Sequence, residues 1–80
     1  MAHVVWPRSI LEILESLPPK EQALILDKAE RLSRFPRLYL VRACGRFPGC
    51  RWFFAGIWLV YYRVTGETVF IRGLWPAGMP

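Results

Sequence analysis

Eighty residues, 54% of them hydrophobic, with a net charge of +5, describe one small, basic, packed domain. That composition excludes a disordered chain. The longest charge-free run, residues 52–62, is eleven residues and excludes a spanning helix, which needs about 20. Glu12 and Glu15 interrupt the apolar N-terminal stretch, so it is not a signal peptide, and a cytoplasmic protein with reduced thiols is expected.

The charge is uneven. Residues 1–36 hold five bases against five acids, whereas residues 37–80 hold Arg37, Arg42, Arg46, Arg51, Arg63 and Arg72 against Glu67 alone. Arginine's planar fork suits phosphate and carboxylate and stacks on aromatic rings. A basic, aromatic-rich half is the footprint of nucleic acid or of an acidic protein partner. An ordinary soluble surface with a basic bias has about the same claim.

In chain order, residues 2–6 (AHVVW) read as an edge strand or a loose terminus, closed by Pro7. Residues 7–17 read as a helix whose stripe is Ile10, Ile13, Leu14 and Leu17. Pro18-Pro19 stops it, and Pro19 opens a second helix, residues 19–34, with Gln22, Ile25, Leu26, Ala29 and Leu32 on one face. The two form a helical hairpin. Residues 37–49 are ambiguous: LYLVRA suits a strand or a short helix, and CGRFPG is turn chemistry. Residues 51–75 hold three apolar runs, 51–54, 57–64 and 68–75, separated by Ala55-Gly56 and Thr65-Gly66. These are a three-stranded antiparallel meander. The tail, 76–80, reads as loose.

Pairing across Thr65-Gly66 sets Arg63 opposite Thr68, Tyr61 opposite Phe70 and Leu59 opposite Arg72. One face then carries Trp58, Val60, Tyr62, Val64, Val69 and Ile71, all apolar. The other carries Leu59, Tyr61, Arg63, Phe70 and Arg72. The first is expected to pack on the helices and the second to lie open. A register slip of one residue, or a bulge near Tyr61-Tyr62, exchanges the faces. The fold class is therefore α+β, a single domain over 1–80: a short N-terminal strand, a helical hairpin, then the meander.

Few catalytic constellations can be assembled. Cys44 and Cys50 form one C-x5-C pair, and with His3 the only histidine a four-ligand zinc site is incomplete. A disulfide across the 46–49 turn is sterically open, beside the alternative of two buried thiols. There is one Asp, Asp27, and no P-loop or Ser-His-Asp set; neither metal nor cofactor is expected. RNA cleavage remains possible chemistry, because the 2′-OH of RNA is itself a nucleophile and Arg can stabilise the charge developing on phosphate.

The order strand, two helices, meander resembles the RelE/ParE toxin superfamily of bacterial toxin–antitoxin modules. Locally, GIWLVYYRVTGETVFIRGL (56–74) is similar to the family's glycine, Tyr-ended strand, tight turn and final strand, and GRFPGCRW (45–52) to its approach to the first long strand. The resemblance implies a cytoplasmic toxin held by a small acidic antitoxin, acting either by ribosome-dependent mRNA cleavage or by poisoning DNA gyrase. Trp58 stands where ribosome-dependent members usually carry Arg, and Trp75 to Pro80 replace their basic and Tyr or His residues. Only Arg51 matches a family basic position. The family register would set Trp58 on the open face, whereas the pairing above buries it.

If RNA is cut, Arg51, Arg63, Arg72 and Tyr61 are the catalytic candidates. Arg42, Arg46, Tyr62 and Phe70 are the candidates for binding nucleic acid or a partner. The alternative function is a non-enzymatic basic module that uses the same face to hold nucleic acid or an acidic protein.

Overall fold

The computed structural model describes residues 2–39, 41 and 49–77. The elements run β1 (His3–Val5), α1 (Arg8–Glu15), α2 (Pro19–Arg34), β2 (Arg51–Ala55), β3 (Trp58–Thr65) and β4 (Thr68–Pro76). The sheet order is β1-β4-β3-β2, with β1 parallel to β4 and the other pairs antiparallel.

Both helices begin without a side-chain cap. Pro7 and Pro18, in extended conformation, precede them, and their carbonyls accept the first helical N–H groups. Pro19 occupies the first turn of α2. The corner is tied by Gln22, whose Nε2 donates to the Leu17 carbonyl at 2.7 Å. α1 lies against β4, and α2 against β1 and β2.

The core forms where the helical stripes meet one sheet face. Ile10 and Leu14 of α1, and Ile25, Ala29 and Leu32 of α2, are buried against Phe53, Ala55, Val60, Tyr62, Val69, Ile71 and Leu74. Trp58 and Val64 pack on this cluster. The apolar face is therefore the one expected, and Trp58 lies on it. Ile13 and Leu26, expected in the stripes, are instead 41% and 44% exposed. Each falls at the edge of its stripe.

Two expectations about the meander are corrected. The turns are Gly56-Ile57 and Gly66-Glu67, because Gly56 and Gly66 take positive φ, 61° and 60°, at the first turn position. Arg63 therefore pairs with Phe70, not Thr68, and Tyr61 with Gly73, not Phe70. The shift is two residues, an even number, so the faces survive it. The register then slips between Tyr61 and Tyr62: Tyr62 pairs with Ile71, Tyr61 with Gly73, and Arg72 is left as the extra residue of a bulge. Leu59 consequently pairs with Trp75, not Arg72.

At the chain's end the expectation of a loose tail fails for its first two residues. Pro76 belongs to β4, and the Ala77 N–H donates to the Ile57 carbonyl at 2.6 Å. Between α2 and β2, Val41 bridges Arg51. The remaining expectations for 42–48, including the turn and Cys44, lie outside the described residues. Cys50 is a buried free thiol.

Candidate nucleic-acid interface

The sheet face turned away from the helices divides into two regions. Near the β2–β3 turn it is aromatic. Trp52 and Phe54 meet edge to face at 5.2 Å, and the rings of Tyr61 and Trp75 lie 5.5 Å apart. Tyr61 is only 4% exposed, yet it lies outside the main core cluster. Its neighbours on this face, rather than the helices, cover it.

Toward the β3–β4 turn the face is basic and open. Arg63, Phe70 and Arg72 are exposed. Arg63 and Phe70 are directly paired across the strands, so their side chains share a face. Arg72 joins them because the bulge places it between inward-facing Ile71 and Gly73, with Leu74 returning to the core. Neither guanidinium makes an ion pair or hydrogen bond among the described residues, where Arg31–Asp27 on α2 is the one ion pair. Parallel pairing adds β1 to the same surface. Val5 aligns with Phe70 and is 40% exposed, and His3 aligns with Thr68.

Other sequence-derived candidates are placed elsewhere. Arg51 pairs with Tyr62 and so faces the helix side of the edge strand β2. Its Nη1 donates to the Tyr39 carbonyl at 2.6 Å and to that of Arg37 at 3.4 Å, pinning the segment after α2. Tyr62 is fully buried, packed with Phe53 and Tyr39 at ring distances of 6.1 and 6.4 Å. Burial pushes its phenol up from 10.0. The Tyr39 backbone and the Arg51 charge oppose that shift, yet the hydroxyl makes no hydrogen bond of good geometry among the described residues. Tyr61 shares the far face with Arg63 but lies under its aromatic neighbours. Arg42 and Arg46 lie outside the described residues.

His3, expected as a solvent-exposed histidine without an obvious chemical partner, is exposed at the edge of this face. Nothing local marks it; its position follows from β1 pairing in parallel with a strand more than sixty residues later.

A second surface feature lies beside the outer edge of β2. A cleft of about 280 Å³ is lined by Lys28, Tyr39, Trp52, Phe53 and Phe54. Leu24, Phe54 and Ile57, from α2, β2 and the β2–β3 turn, are 50%, 45% and 62% exposed. Lys28 closes one side by donating to the Phe54 carbonyl at 2.5 Å, one way in which an edge strand is blunted.

No protein-family model matches the sequence, and no curated protein matches it. Solved structures do match in shape. The isolated RelE toxin of E. coli superposes with a TM-score of 0.81 at 17% identity, covering 100% of this chain and 88% of that one. The RelBE2 toxin–antitoxin complex of Mycobacterium tuberculosis gives 0.79 at 23% identity, covering 94% and 96%. The intact E. coli RelBE toxin–antitoxin complex gives 0.79 at 16%, covering 99% and 100%. Two helices on one face of a four-stranded mixed sheet, with these structural neighbours, give this chain the RelE toxin fold.

Proposed function

We propose that this protein is the toxin of a type II toxin–antitoxin module and that it engages RNA of the translation machinery through the Arg63–Phe70–Arg72 face. One observation carries the reading. Two arginines without acidic partners among the described residues flank an exposed aromatic ring on an open sheet face. Guanidinium groups hold phosphates, and the ring offers a base a stacking surface. The neighbouring RelE and RelBE structures supply the context of a toxin and its antitoxin.

The proposed partner is an acidic antitoxin. It would complement a net charge of +5 and cover the exposed Leu24, Phe54 and Ile57 with the adjoining cleft. Cleavage, if it occurs, runs through the 2′-OH of the RNA, with Arg63 and Arg72 stabilising the phosphate. A second reading, binding without cleavage, is favoured by Trp58. It packs on the core at the position where the family resemblance calls for Arg.

Addition of the purified protein to a translating extract tests the proposal. Cut mRNA supports the nuclease reading. Blocked translation with intact mRNA supports the binder. Unimpaired translation together with inhibited supercoiling by purified gyrase would replace both with the gyrase reading.

A further inference from the structure

We propose that His3 is the proton acceptor for RNA cleavage on this face; the assignment rests on the nuclease form of the function above. Three observations place it there. Val4 packs on the core, so its neighbours His3 and Val5 point to the opposite side of the sheet. β1 runs parallel to β4 with His3 beside Thr68 and Val5 beside Phe70. Phe70 in turn faces Arg63. His3 and Arg63 thus stand diagonally on either side of Phe70.

Strand spacing of ~4.8 Å and a rise of ~3.3 Å per residue set their Cα atoms ~12 Å apart. An extended Arg, an imidazole and one phosphodiester span that gap. The placement is held firmly at the backbone. The His3 N–H donates to the Glu67 carbonyl at 2.8 Å, and the Ala2 N–H donates to the Ser33 carbonyl at 2.7 Å. The imidazole itself is exposed. At the β1 edge His3 also borders a cleft toward α2 that Glu30 and Ser33 line, and Glu67 stands in the β3–β4 turn; among the described residues neither carboxylate bonds to the imidazole.

The geometry suits a nucleotide whose base rests on Phe70 and whose 3′-phosphate meets Arg63. The 2′-oxygen forms a bond to phosphorus while the P–O5′ bond breaks. Neutral imidazole takes the 2′-OH proton and releases it to solvent. The departing O5′ takes a proton from water, which leaves a 2′,3′-cyclic phosphate and a 5′-hydroxyl. Arg63 stabilises the charge on the phosphoryl oxygens. No metal or co-reactant enters the balance.

The test compares wild type, His3→Gln and His3→Ala for cleavage of ribosome-bound mRNA, for affinity to a single-stranded RNA, and for unfolding midpoint. The expected result is cleavage slowed about 100-fold or more in His3→Gln. Affinity and midpoint stay unchanged, and added imidazole restores His3→Ala. A His3→Gln protein that cleaves at the wild-type rate overturns the assignment, as does a loss of affinity that matches the loss of rate. Wild-type protein that binds RNA but never cuts it overturns the nuclease reading itself, and the two failures are told apart by that wild-type arm.

Discussion

Arg63 stands directly opposite Phe70 across β3 and β4, with both side chains on the exposed face. On the proposed reading the ring offers a base a stacking surface and the guanidinium holds a phosphate, as a short segment of single-stranded RNA would require. Ring and charge are separable. Phe70→Ala is expected to weaken RNA binding by about 1–3 kcal/mol without altering salt dependence. Because Phe70 is 37% exposed and outside the core, the unfolding free energy should change far less than for a core residue. Equilibrium titration at two ionic strengths, paired with urea unfolding, reads both.

Arg51 is predicted to behave differently from Arg63, although the sequence offers them as equals. Its guanidinium holds the carbonyls of Arg37 and Tyr39 on the helix side of the edge strand. Arg51→Ala should destabilise the fold by about 1–2 kcal/mol, as expected for lost charge-assisted hydrogen bonds. It should also raise amide exchange at residues 37–39 while leaving RNA affinity unchanged. Arg51→Lys should recover only part of the stability, since lysine lacks the fork.

Tyr62 carries a prediction in pH. A phenol whose folded-state pKa lies above 10.0 keeps its proton in the folded chain after the unfolded chain has lost it. Its contribution to stability is fully present below pH 10 and is lost as pH rises from there through the folded value. Tyr62→Phe should abolish that alkaline loss. Near neutral pH the same change removes a buried hydroxyl that has no hydrogen-bond partner among the described residues, so stability should hold or rise by about 1 kcal/mol. Unfolding curves of both proteins across the alkaline range check the two statements together.

Gly66 sets the register on which the face depends. Its φ of 60° is costly for any residue with a Cβ, and nothing lies within 4 Å of where that Cβ would be. Gly66→Ala should therefore cost about 1 kcal/mol through backbone strain alone, and Gly66→Asn less, because Asn tolerates the left-handed region. An Ala variant of unchanged stability would contradict the left-handed turn at Gly66 and, with it, the Arg63–Phe70 pairing.

The parts legible in the sequence were those governed by local rules. Paired prolines and a 3.6-residue stripe located α2 at its observed bounds. Alternation identified the buried face, and that reading survived a wrong turn placement because the error was two residues and side chains alternate with period two. The bulge near Tyr61-Tyr62 was anticipated in place but hard to read in consequence: its extra residue, Arg72, falls on β4, so the faces are kept rather than exchanged. The place of β1 was harder still. Three residues carry almost no pattern, and their parallel partner lies at the far end of the chain. The place of His3 beside Thr68 was invisible for that reason. Arg51 is the opposite case: its type suggests a ligand, while the partners seen among the described residues are the carbonyls of Arg37 and Tyr39.

The most direct test of the account is the affinity and salt dependence of a single-stranded RNA for wild type and for Arg63→Ala/Arg72→Ala. Each neutralised phosphate adds about 0.7 to the slope of log affinity against log salt for single strands. The prediction is a folded double variant that binds at least tenfold more weakly, with the slope reduced by about 1.4. A double variant that is equally stable and binds RNA with wild-type affinity and slope would contradict it.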